Sequence, residues 1–281
     1  MAVVRLAVLG DLHCTKTSQG AFQSLFASVR ECADLLLLAG DLTDYGLPEE
    51  AQVLARELSV LRMPIVGVLG NHDRESAREG EVARVLTDAG VVILDGDATE
   101  VLGVGIAGVT GFGGGFGKHA LAPWGEPVIK QFVHAAVEEA LKLEKALARL
   151  RAPSLVALLH YAPIAATVEG EPLEIYPFLG CSRLEEPINR YPVSLVFHGH
   201  AHKGRPQGVT ANGVAVYNVS MPLLTRTFPD RLPFRVFEVP VVDVPRAESA
   251  AETRRGSSVN PAGPVPADQT VEPSTFARGV Q

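Results

Sequence analysis

The chain has 281 residues, 47% of them hydrophobic, with 25 lysines and arginines against 32 aspartates and glutamates, for a formal net charge of -7. That length and apolar content suit one large folded domain with ample core, while the acidic balance and the lack of a lysine-arginine cluster weigh against a general nucleic-acid backbone binder. Three widely spaced cysteines, Cys14, Cys32 and Cys181, form no Cys-x-x-Cys pair; a disulfide framework is disfavoured, a cytoplasmic setting fits, and no apolar run approaches the roughly 20 residues of a membrane span.

The apolar start of the chain is too short for a secretory signal, and Arg5–Leu9 reads as a buried strand ending at Gly10-Asp11. Ala21–Cys32 places Phe22, Leu25, Phe26 and Val29 on one helical face. Leu35–Ala39 is a second buried strand, ending at Gly40-Asp41, and Glu49–Leu61 a helix stopped by Pro64. Ile65–Leu69 is a third strand, ending at Gly70-Asn71, followed by a helix over Glu81–Asp88 and a strand over Val91–Leu94. This alternation predicts a parallel sheet with helical crossovers.

The middle of the chain reads as a strand over Val101–Val109, a flexible glycine-rich loop from Gly111 with Phe112 and Phe116, and a long helix over Pro127–Arg149. Leu155–Leu159 and Ser194–Phe197 are further buried strands, and Val214–Val219 and Arg235–Val241 late ones, assigned to a second sheet. From about Pro245 the apolar periodicity vanishes. We therefore expect a folded domain over 1–244 and a disordered tail over 245–281. No internal repeat is visible.

Five short blocks sit at the ends of apolar runs: Asp11-Leu12-His13, Gly40-Asp41-Leu42-Thr43-Asp44, Gly70-Asn71-His72-Asp73, Leu159-His160-Tyr161 and Gly199-His200-Ala201-His202. Chemistry in parallel sheets gathers beyond the carboxyl ends of strands, where these blocks fall. On an extended backbone Asp11 and His13 face one side while Leu12 and Cys14 turn away. Asp41 is placed to bridge two metals, Asn71 offers a neutral amide oxygen, and His160, His200 and His202 supply imidazoles. Two divalent cations against Asp11, Asp41 and a hydroxide leave about one formal positive charge, which suits a phosphate group. Taken singly, each block has a plain structural reading as a turn or a satisfied buried pair. Their occurrence together, in order and at strand ends, is the signal.

The ordered set Asp-x-His, Gly-Asp-x-x-Asp, Gly-Asn-His-Asp, His and Gly-His-x-His resembles the calcineurin-like metallophosphoesterase superfamily over Asp11 to His202, with flanking strands to about Pro240. The resemblance implies a four-layer α/β/β/α sandwich. It implies one metal held by Asp11, His13, Asp41 and His202 and another held by Asp41, Asn71, His160 and His200. The ions would be manganese, iron, zinc or nickel. It further implies an enzyme in which a metal-bridging hydroxide attacks phosphorus, with His72 at the leaving oxygen as general acid or charge stabiliser; Asp44 reads as the carboxylate that orients His72. Asp73 has equal claims as a turn residue. His198 reads as core or as a support behind the ligands, His134 as surface, and His119, beside Lys118, as part of a solvated loop or a substrate contact.

Departures narrow the branch. Tyr45-Gly46 stands where the Ser/Thr protein phosphatases and the dinucleoside polyphosphatases similar to them carry Arg-Gly, and the lipid A pathway hydrolases have Arg at the position of His72. The blocks look most like the bacterial branch of cyclic-nucleotide and other phosphodiesterases, although Tyr161 in Leu-His-Tyr-Ala-Pro departs from the commoner His-His-Pro-Pro form. The expectation is a phosphodiesterase acting on a small phosphate ester, with the loop from Gly111 to Trp124 as part of the substrate wall. The alternatives are a phosphomonoesterase and a metal-stabilised interaction module without turnover.

Overall fold

The computed structural model describes residues 2–241; the tail expected over 245–281 lies outside them. In chain order the elements are β1 (Ala2–Leu9), α1 (Gln23–Cys32), β2 (Leu35–Ala39), α2 (Pro48–Leu58), β3 (Ile65–Val68), α3 (Glu79–Asp88), β4 (Val91–Ile93), β5 (Asp97–Val101), β6 (Val104–Val109), α4 (Pro127–Arg149), β7 (Ser154–Leu159), α5 (Tyr176–Leu179), α6 (Glu185–Arg190), β8 (Val193–His198), β9 (Gln207–Val209), β10 (Ala215–Asn218), α7 (Met221–Thr227) and β11 (Arg235–Val241).

Two mixed sheets result. The first has the order β11-β1-β2-β3-β4, parallel from β1 to β4, and the second the order β5-β6-β7-β8-β10-β9, parallel from β6 to β10. All five residues of β2, and all six of β7, are buried. Unbroken apolar runs of this kind belong to strands covered on both faces. Leu6, Val8, Leu35, Leu37, Val66 and Val68 of the first sheet pack with Ile106, Val156, Leu158 and Phe197 of the second. Outside the first sheet, Leu25, Phe26 and Val29 of α1, Leu54 and Leu58 of α2 and Leu86 of α3 cover Leu36 and Leu38. Outside the second, Leu143 and Leu147 of α4 cover Val109, Ala157 and Leu159. This is the expected α/β/β/α sandwich.

Two expectations are corrected. The segment read as one strand over Val101–Val109 is broken near its start: Val101 ends β5, Leu102-Gly103 is a turn, and Val104–Val109 is β6, which pairs antiparallel with β5. Both turn residues have positive φ, 53° and 81°, the backbone of a tight hairpin turn that Leu rarely signals. β11, assigned to the second sheet, instead pairs antiparallel with β1 in the first, from Ala2↔Val241 to Val8↔Arg235. A strand's choice of sheet is set by which edge is open, and no local pattern encodes that. Among the described residues no helix is long and apolar enough to cross a membrane.

Candidate metal centre

Asp11, Asp41 and Asn71 follow β1, β2 and β3, and His160, His200 and His202 follow β7 and β8. The strand ends are tied together before any side chain is considered. The Asp11 amide donates to the Gly40 carbonyl at 2.9 Å, the His13 amide to Asp41 at 3.0 Å, and the Gly199 amide to His160 at 3.1 Å. His160 crosses between sheets, its Nδ1 donating to the Ala39 carbonyl at 2.9 Å.

The backbone departs from the expected extended run. Asp11, His13, Asp41 and His200 all have positive φ, at 58°, 46°, 47° and 68°. Each such residue costs about 1–3 kcal/mol and persists only where the surroundings impose it. Four of the seven expected ligands therefore sit in strained conformations. Cys14 still points into the core, where burial first, and then Glu50, raises its thiol pKa to about 12.

All seven expected ligands are brought together. His202 Nε2 lies 2.9 Å from Asp11 Oδ1, and donor atoms of Asp11, His13 and His202 lie within 4.8 Å of one another, as do those of Asp41, His160 and His200. His160 Nε2 is 2.8 Å from Asn71 Oδ1 and 3.4 Å from Asp41 Oδ1. The other Asp41 oxygen, Oδ2, faces His13 Nε2 at 3.9 Å. Asp41 thus faces both groups. His13 Nε2 is buried and has no hydrogen-bond partner among the described residues, which is costly for an imidazole nitrogen unless something else occupies it. Close approach is built in: a Cβ at Gly70 would overlap the Asp41 carboxylate, and one at Gly199 the Asp11 carboxylate. Oxygen and imidazole donors in two adjoining groups, sharing one carboxylate around an orphaned nitrogen, fit a pair of divalent cations.

The electrostatics agree. Burial alone would raise the Asp41 carboxyl, but the His160 charge and hydrogen bond, with the His72 amide, hold it well below the usual range. Burial would lower His160, and Asp41 reverses that. His202 is raised by its hydrogen bond to Asp11, against burial. Burial and the nearby His160 push His200 down to about 4. The buried carboxylates demand positive charge and draw protons onto two histidines when no cation supplies it.

The neighbours of the donors refine the expected roles. His72 Nδ1 is 2.7 Å from the Asp44 backbone carbonyl, whereas the Asp44 carboxylate stands 3.9 Å away. That carboxylate faces His13 instead, with Oδ1 3.1 Å from Nδ1. Asp44 therefore orients His72 through its main chain, and its charged group belongs to His13. Asp73 is fully buried and accepts from the amides of Leu42, Thr43 and Gly70 and from the Thr43 hydroxyl, at 2.7 to 3.1 Å. It pins the β2 loop to the β3 loop. His198 is core, its Nε2 2.8 Å from Thr167 Oγ1. His134 lies on the surface of α4 beside Glu138, and His119 is exposed. Asn218 was not singled out from the sequence. Buried at the end of β10, it donates to the Ala201 carbonyl at 2.8 Å and holds the Gly-His-Ala-His turn in place. Its signal was present, a polar residue closing an apolar run, but without a recognisable spacing.

The chain belongs to the calcineurin-like phosphoesterase family, whose model matches residues 4–204, and this makes it a metal-dependent phosphoester hydrolase. Among curated proteins none matches the sequence. Among solved structures, the phosphopantetheinyl hydrolase PptH of Mycobacterium tuberculosis is similar at a TM-score of 0.61 and 18% identity, over 83% of this chain and 95% of that one. The protein TT1561 of Thermus thermophilus is similar at 0.45 and 18%, over 79% and 92%. An archaeal phosphodiesterase is similar at 0.39 and 12%, over 84% and 99%. At 18% identity the likeness to PptH is one of fold.

Proposed function

We propose that the protein hydrolyses phosphodiesters at a dinuclear site. In this reading Asp11, His13, Asp41 and His202 hold one metal, and Asp41, Asn71, His160 and His200 the other. The observation that carries it is the Asp41 carboxylate set between the two donor groups, facing the unpartnered His13 Nε2. When bound, the two ions would polarise the phosphoryl oxygens and lower the pKa of water. Manganese, iron, zinc and nickel all suit this donor set.

The protein's own groups supply the rest. A carbonyl can only accept, so His72 Nδ1 carries a proton toward Asp44 and Nε2 is the atom left to face the leaving oxygen; it donates a proton there from the doubly protonated ring, which returns to the neutral Nδ1–H form. The Asp44 carboxylate on His13 Nδ1 leaves Nε2 as the donor aimed at Asp41. The single formal positive charge left by two cations, two carboxylates and one hydroxide draws a phosphate anion to the site. The diester preference is supported by Tyr45, which stands where the Ser/Thr protein phosphatases, a monoesterase branch, carry a phosphate-binding arginine. The three free thiols support a cytoplasmic location.

The test is hydrolysis of a chromogenic phosphodiester and its monoester by manganese-reconstituted protein, with Asp41→Asn as control. We expect faster diester turnover that vanishes in the control. Monoester preference would shift the assignment to a phosphatase, and no turnover with two metals bound would leave the interaction module.

A further inference from the structure

Beside the metal centre lies a cavity of about 330 Å3, bounded by Asn71, Arg74, Phe112, Ala135 and Tyr161, with Glu138 and Glu139 on the α4 side. Its volume falls at the lower end of small-molecule sites, about 300–1,000 Å3. It begins at one candidate ligand, Asn71, and its Tyr161 wall lies against another, ring centroids 4.4 Å apart from His200. His72 does not line it. A substituent departing beside His72 is therefore not the one this cavity can hold.

The wall is built in advance. The Gly111 amide donates to Glu139 Oε2 at 2.8 Å, and the Gly114 amide to the Pro177 carbonyl at 2.6 Å. These bonds, and the absence of room for a Cβ at Gly113, hold in place a loop that glycine content alone marks as flexible. They hold the Phe112 ring between Phe132, 5.0 Å away, and Tyr161, 5.9 Å away.

Charge chooses between two occupants, a second anionic group and an uncharged one. Among the described residues the one cation in the wall, Arg74, is already 3.1 Å from Thr110 Oγ1 and 3.8 Å from Asp95. Two carboxylates share the wall with it; Glu139 is held by the Gly111 amide and by Lys142 at 2.7 Å, and Glu138 lies 3.2 Å from His134. A second anion would meet carboxylates and lose water without a free cation to replace it. A flat neutral ring would meet the Phe112 and Tyr161 rings and the Arg74 guanidinium.

We propose that this cavity is the specificity pocket for the retained substituent of the diester, and that it takes an uncharged aromatic or heteroaromatic ring. The proposal rests on the phosphodiesterase reading. It makes Phe112 and Ala135 determinants of substrate choice, the first as a stacking face and the second as the small residue that leaves the space open.

The test uses three p-nitrophenyl diesters that differ only in the retained group: methyl, phenyl and 4-carboxyphenyl. The metal-loaded full chain should show a phenyl-to-methyl ratio of kcat/KM of about tenfold or more, the scale at which pockets separate groups differing by a few apolar carbons. The 4-carboxyphenyl ester should fall below phenyl. Ala135→Trp, which fills the cavity, should bring the ratio close to one, and Phe112→Leu should lower it. Because the readout is a ratio within one protein sample, partial misfolding of either variant does not imitate it. A wild-type ratio near one, a ratio unchanged in both variants, or a preference for 4-carboxyphenyl would overturn the pocket while leaving the phosphodiesterase reading intact. Hydrolysis of none of the three by protein carrying two metal ions would overturn that reading, and the pocket with it.

Discussion

His13 shows how much depends on which nitrogen faces where. Its Nδ1 is engaged by the Asp44 carboxylate at 3.1 Å, so the whole ring is aimed by a residue that is not itself an expected ligand. His72, with its ring 4.5 Å from that of His13, is held by a carbonyl instead. The two therefore separate under mutation. His72→Ala should cut turnover by about 10²–10⁴-fold, the usual worth of a positioned proton donor, with metal content by elemental analysis unchanged. Asp44→Ala should instead weaken metal binding by about 10–100-fold, as loss of a ligand's orienting partner does. Equal metal content in Asp44→Ala and wild type would return Asp44 to the role of His72's partner.

The loops after the strands are held by polar groups that replace regular ladder bonds. Asp73 satisfies four donors from two loops with two oxygens. In Asp73→Asn an NH2 group would face donors, so about 1–3 kcal/mol of stability should be lost, seen as a lower midpoint in urea; an unchanged midpoint would show that the loops hold without it. His198, at the end of β8, is neutral because burial lowers its pKa to about 4. A depressed histidine pKa means the folded state favours the uncharged ring. That contribution is complete above the free-histidine value of about 6.5 and is lost as pH falls through the folded value. In chelator, the melting temperature should fall more steeply between about pH 7 and 4 for wild type than for His198→Gln. Parallel curves would mean that the ring is protonated in the fold without cost.

The sandwich as a whole makes the site possible, because three of the loops that carry candidate ligands belong to one sheet and two to the other. Their convergence depends on the packing that sets the sheets against each other. Phe197 of β8 is fully buried between them, its ring 5.9 Å from Tyr217 and 4.7 Å from Phe237 of β11. Phe197→Ala should cost about 3–5 kcal/mol by leaving a cavity in this layer, and calorimetry would report it. A cost below about 1 kcal/mol would show that the sheets can close on the gap.

The residues that converge at the strand ends were readable because each block closes an apolar strand, and the order of blocks along the chain is visible without any folding. The parallel strands were readable for the same reason: burial on both faces demands unbroken apolar runs such as Leu35–Ala39. Other features had no local cause. The Leu102-Gly103 turn is imposed by pairing on both sides, and β11 joins β1 because that edge is open to it. The left-handed backbone at Asp11, His13, Asp41 and His200 is a strain that surrounding contacts must hold, so neighbouring residue types do not announce it. Likewise the presence of Asp44 and His72 in adjoining blocks suggested a carboxylate–histidine pair, but a distance of a few ångströms assigned the carboxylate to His13. Residue identity and order decide what chemistry a chain can offer, whereas long-range packing decides which atoms meet, because orientation is set by groups that the sequence places about 30 to 190 positions apart.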